Sequence, residues 1–177
     1  TGNITLGDNA KLNLNGYSIS KAIDWNVNSV IEGEGVIRGN LILRDNTSYT
    51  WNNTAVQIVG NVVLGAGSMF ELKGQSIGSA TLTASNSVIS NANIVGTFAL
   101  GDGVSYTWSS DALYICGDVS LGDKAALNLG GHVLDNTVSM NGTATIGSGT
   151  LNGTLSMGGG KTLNLGGNLS GSGTIAM

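Results

Sequence analysis

Glu32 and Glu34, in the stretch "IEGEG", are the best-placed carboxylate pair in the chain, and Arg38 follows at the same parity. On an extended strand, a period of two puts all three on one face and Ile31, Gly33, Gly35 and Ile37 on the other. Two carboxylates so placed could hold a metal ion or share acid–base work on a polysaccharide. The plainer reading is a solvated charge stripe with Arg38 as counter-ion. One block later the equivalent positions are Ser90 and Ala92, and no neighbouring unit supplies a second carboxylate, histidine or lysine at the same angle. The stripe is therefore the expectation.

The other reactive side chains are isolated. His132 is the sole histidine, with no Ser, Cys or Asp partner identifiable by spacing. Cys116 ends the run "LYIC" and aligns with Val59, which predicts a core thiol. A phosphate-binding loop needs a glycine five residues before the Gly-Lys-Thr of "GGGKT", and Leu155 stands there. That stretch aligns with Gly101-Asp102-Gly103 and predicts a turn. Asp8, Asp102 and Asp123 share "LGD" turns, but calcium wants six or more oxygens and the nonapeptide calcium repeat is missing. Thr81/Thr83 and Thr143/Thr145 lie in one unit per block, not in the array an ice lattice needs. No catalytic residue, metal site or cofactor is expected.

The positioning elements follow from composition. Hydrophobic residues make up 41% of 177, enough for a cored domain. Charged residues are only 10%, against about 25% in ordinary globular domains. Glycine numbers 29 and proline none, while Asn, Ser and Thr abound. Good helix formers are scarce, so the chain is expected to be all-β. A net charge of −4 opposes nucleic-acid binding, which needs a basic surface. No run approaches the roughly 18 apolar residues of a membrane helix, so no membrane insertion is expected. Few charges and many small polar residues suit an extracellular or cell-surface location.

A repeat organises the chain. "GNITLGDNAKLNLNGYSIS" returns as "GNVVLGAGSMFELKGQSIGS" and again as "GDVSLGDKAALNLGGHVLDN", at offsets of 58 (Gly2 to Gly60) and 57 (Gly60 to Gly117). Leu12, Phe70 and Leu127 coincide, as do Leu14, Leu72 and Leu129. The blocks run about 2–59, 60–116 and 117–177, and each divides into three units of about 17–21 residues. Apolar residues alternate within the units, and Gly-Asp, Gly-Gly and Asn-Gly pairs supply turns. Such a unit is one coil of a single-stranded parallel β-helix, a β-solenoid of about nine coils forming one domain over 1–177.

The runs "LNLNGYSIS", "VIEGEGVIRG", "LNLGGHVL" and "ATIGSGTLNG" resemble coils of right-handed parallel β-helices of the pectin-lyase-like superfamily. Passenger domains of bacterial autotransporter adhesins and related surface fibres share that fold. The resemblance covers most of the chain, implies the right hand, and carries no catalytic identity.

"SYTW" occurs twice, at Ser48–Trp51 and Ser105–Trp108. Tyr49 and Trp51 align with Leu12 and Leu14. The 57-residue offset sets Leu163 opposite Tyr106 and Leu165 opposite Trp108. The aromatics are thus expected in core slots rather than on a sugar-stacking platform. The chain opens in "NITL" and stops in "GTIAM" without an amphipathic cap. It is then either a piece of a longer solenoid or a subunit that docks head to tail on other copies. Ile4, Leu6, Leu163, Leu165 and Ile175 are the expected end-coil contacts. The expected role is a non-enzymatic surface fibre, adhesin stalk or matrix filament, with self as partner and a surface glycan or host or matrix polymer as a further one. The alternative is a polysaccharide-binding or polysaccharide-cleaving β-helix.

Overall fold

The computed structural model describes residues 2–26 and 28–177, which carry strands and turns with no helix. All strand pairs are parallel, and the strands stack as a β-solenoid of about nine turns. A typical coil contributes three short strands, as in Ile23–Trp25, Val30–Glu32 and Gly35–Ile37. Three ladders therefore run along the rod.

On the first face, Ile4, Ile23, Leu41, Val62, Ala80, Phe98, Val119, Val138, Leu155 and Ile175 stack in register. Subtracting successive numbers gives coils of 19, 18, 21, 18, 18, 21, 19, 17 and 20 residues. Trp25, Leu43, Leu64, Leu82, Leu100, Leu121 and Met140 form a second inward column beside it, all buried. A third face carries an isoleucine ladder, Ile19, Ile37, Ile58, Ile77, Ile94 and Ile115. β-Branched side chains stack well on a pleated surface, and each fully buried one contributes about 1.5–3 kcal/mol.

Corners are set by close backbone approach. Gly39, Gly60, Gly78, Gly96 and Gly117 each lie two residues before a first-face strand and stack on one another. A Cβ on Gly117 would overlap the carbonyl oxygen of Gly96, and one on Gly60 that of Gly39. At the opposite end of the first-face strands the aspartates of the "LGD" type hold the next coil. Asp102 Oδ1 accepts the Asp123 N–H at 2.8 Å, and Asp123 Oδ1 accepts the Thr143 N–H at 2.9 Å. Asp45 does the same for Ala66 at 2.7 Å.

The second face is interrupted. Lys11–Asn13 pairs with Val30–Glu32; Ser48–Thr50 pairs with 69–71, which pairs with 88–90; Ser105–Thr107 pairs with Ala125–Asn128, then 144–147 and 163–166. Among the described residues no ladder bond joins Val30–Glu32 to Ser48–Thr50, or 88–90 to Ser105–Thr107. Both gaps precede an "SYTW" strand. The third block has no such aromatics, and its 163–166 strand pairs normally. Pairing also corrects the expected register there. Leu165, not Leu163, stands in the column of Tyr106, Leu127 and Ile146, and Leu163 stacks on Ala144 and Ala125. The 17-residue coil from Val138 to Leu155 consumes the two-residue difference.

The glycine corner makes a direct expectation. Gly117→Ala forces neighbouring coils apart and lowers stability by about 1–3 kcal/mol, as overpacking does elsewhere. Gly7→Ala, where a Cβ meets nothing within 4 Å, stays within about 0.5 kcal/mol of the parent. Urea midpoints of the two variants measure the difference. Equal midpoints would refute the backbone-contact account.

Candidate functional site

Both "SYTW" strands turn their aromatic rings inward. Trp51, Trp108 and Tyr106 are buried, and Tyr49 is half-buried against the core. Trp25, Tyr49, Trp51 and Phe70 form one cluster, with Trp25 and Tyr49 ring centres 4.2 Å apart. The indole N–H groups are satisfied at corners: Trp51 donates to the Asn53 carbonyl at 2.7 Å, and Trp108 to the Leu113 and Ser110 carbonyls at 3.1 and 3.2 Å. A buried indole finds its acceptor in the loop that follows it.

The gap before each of these strands is closed differently in the two blocks. In the first, the Asn53 carboxamide reaches back and donates to the carbonyls of Ile31 and Gly33, at 3.3 and 3.1 Å. Its own oxygen accepts the Ala55 N–H at 3.0 Å. In the second block the position 57 residues on (53 to 110) is Ser110. The Ser110 hydroxyl accepts the Ala112 N–H at 3.3 Å and is too short to bridge the strands. Two side-chain bonds span this second gap, from the Ser105 N–H to Ser85 Oγ at 2.8 Å and from the Tyr106 hydroxyl to the Ile89 carbonyl at 3.3 Å.

What remains is a groove of about 490 Å³ on the flank of the rod. Ser85, Ser90, Ser105, Thr107, Ser110 and Asn128 line it with hydroxyl and amide groups, over a floor of Ile89, Tyr106 and Leu127. No charged side chain lines it. Burial pushes the Tyr106 phenol up to about 12, since no neighbouring charge assists ionisation. Tyr49 moves in the same direction for the same reason.

The charged residues singled out by spacing do not assemble. Glu32 closes the strand Val30–Glu32, while Glu34 lies on the bend before Gly35–Ile37, so they do not share one continuous strand face. Gly33 and Gly35 carry φ of 81° and 152°, which breaks the strand between the glutamates. Among the described residues neither glutamate pairs with Arg38. The fork-like ion pair is Arg44 with Asp24, at 2.7 and 2.8 Å across adjacent coils, and it holds the Asp24 carboxyl below its usual range. No group of three or more His, Cys, Asp or Glu that could hold a metal occurs among the described residues.

His132 has a partner that spacing did not reveal. Its Nε2 lies 3.7 Å from Asp111 Oδ1, and its ring stacks on Trp108 at 4.6 Å and 15°. The two residues are 21 apart (111 to 132), one coil, so only the coil length could have signalled the pair. Cys116 corrects the expectation of a core thiol: it is exposed, as is Val59, with which it aligns. The alignment is right, but both residues follow the last inward isoleucine of their strand and so point out. Gly158–Gly160 form a turn, and Lys161 donates to the Met140 carbonyl at 3.1 Å.

The expected end-coil residues divide. Leu165 and Ile175 are 65% and 55% exposed, Leu163 and Ile4 are half-buried, and Leu6 is buried at 7% and offers no surface. Leu151, Leu155, Leu163, Leu165, Leu169 and Ile175 line an apolar hollow of about 220 Å³ at the final coil. No helix of the described residues is long and apolar enough to cross a membrane. Compared with family models, with curated proteins and with solved structures, the chain matches none.

Two expectations follow. A phenol raised from its ordinary value near 10 contributes stability that is complete below pH 10 and is lost as pH rises through about 12. Unfolding free energy should therefore fall by roughly 2–3 kcal/mol across that window, and Tyr106→Phe should remove most of the slope. A parent slope no steeper than the variant's contradicts the buried phenol. Cys116 in the native protein should react with a disulfide reagent as fast as a free thiol; protection until unfolding would return it to the core.

Proposed function

We propose that the chain is a non-enzymatic, extracellular structural solenoid, a subunit of a surface fibre, adhesin stalk or matrix filament that stacks head to tail. The observation carrying this reading is the final coil. Leu165 and Ile175 stand exposed at the end of apolar columns that are buried everywhere upstream. An uncovered strand edge above an apolar hollow suits main-chain pairing with a further coil, with hydrophobic contact beneath. The first coil of a second copy, entering through Ile4 and Thr5, has the matching strand direction. Such a joint is heterologous and does not close, so it extends.

The polysaccharide-cleaving alternative draws less support. It needs two carboxylates facing one sugar, whereas Glu32 and Glu34 are separated by a bend and no other carboxylate pair faces a groove among the described residues. Scarce charge and abundant Ser, Thr and Asn favour an extracellular setting on composition.

Electron microscopy of residues 1–177 over a concentration series tests the filament. The expected result is filaments with an axial repeat of roughly 43 Å, nine coils at about 4.8 Å. Leu165→Lys and Ile175→Lys should each abolish assembly while circular dichroism stays unchanged, since both positions are exposed. Short rods at every concentration, or filaments surviving both substitutions, would reject end-to-end docking. Reproducible cleavage of a soluble glycan would reject the non-enzymatic reading.

A further inference from the structure

We propose that the second-face groove between 88–90 and Ser105–Thr107 is a binding site for a short, neutral, extended peptide. Two neighbouring strands of an otherwise continuous parallel ladder are unpaired there, and both turn a backbone edge toward the gap. Each edge is three residues, about 10 Å, which accommodates three or four residues of extended chain. Backbone N–H and C=O groups at strand spacing are matched best by another backbone.

The occupant's chemistry comes from the first block. There the equivalent gap already holds an amide: the Asn53 carboxamide lies between the strands and donates to Ile31 and Gly33 carbonyls. A carboxamide has the same donor and acceptor groups as a peptide bond. In the second block Ile89 and Asn91 stand where Ile31 and Gly33 stood (each 58 residues on), and Ser110 replaces Asn53. The internal amide is gone, and the volume it served is open and lined by hydroxyls. Tyr106 holds the Ile89 carbonyl in the absence of a ligand, at 3.3 Å, a long bond for a hydroxyl donor and one a peptide N–H can replace. The lining carries no charge, so a peptide of small or β-branched neutral side chains fits, and a charged one does not.

The two copies supply their own controls. Backbone amide shifts of the labelled chain are followed by nuclear magnetic resonance while a capped Thr-Val-Thr-Val peptide is added. The expected result is saturable shifts in 85–90 and 105–110, and binding at least about tenfold weaker for the same peptide with N-methylated amides. Ser110→Asn should copy the first block's bridge and abolish those shifts, with an unchanged circular dichroism spectrum. Asn53→Ser should open the first gap and add a second set of shifts around Ile31, Gly33 and Ser48. The proposal is overturned by no shifts in the parent chain, by equal binding of the N-methylated peptide, by binding that survives Ser110→Asn, or by no second site in Asn53→Ser. Shifts produced by a cello-oligosaccharide and not by the peptide would assign the groove to a sugar and overturn it as well.

Discussion

Everything in this rod depends on one spacing, the separation of hydrogen-bonded strands in adjacent coils. Because the ladders on all faces share it, each corner must also rise by that amount and no more. The glycine column from Gly39 to Gly117 is where the requirement is tightest, since the corner backbones touch directly and leave no room for a Cβ. Where a coil carries extra residues, as in the 21-residue intervals ending at Val62 and Val119, the excess has to leave the common path. It does so next to Trp51 and Trp108, on the face whose ladder is broken.

The two "SYTW" segments thus link sequence, packing and surface. Their rings fill the core, their indoles fasten the enlarged corner, and their strands stand clear of the preceding coil. Whether the resulting gap becomes interior or surface turns on one side chain. Asn53 reaches two carbonyls across it, whereas Ser110 stops at its own loop. A difference of one carboxamide separates a sealed flank from a groove.

Much of the architecture was legible before any coordinates. Alternation in "LNLNG", the returning Gly and Leu positions, and the absence of helix formers lead to stacked coils of the observed length. Inside and outside were harder at strand ends: Cys116 sits one residue beyond the last inward isoleucine, and alternation does not say where a strand stops. The Leu163 register failed because a fixed offset ignores a coil shortened by two residues. The broken ladder was not legible at all, since pairing between coils is a tertiary fact and the aromatic slots look identical in both blocks. The glycine column was visible as a recurrence at 39, 60, 78, 96 and 117, but was hidden among 29 glycines.

Near-identical blocks also create an ambiguity during folding. A coil that slips by a whole block meets almost the same apolar columns and the same corner glycines, so the mis-stacked chain loses little core. Coil length and the broken face distinguish the alternatives. A slip that lays the third block's 163–166 strand where an aromatic strand belongs sets leucines in slots shaped for tyrosine and tryptophan. The final block therefore acts as a register mark, the one piece of the solenoid that cannot be exchanged for another without leaving a void.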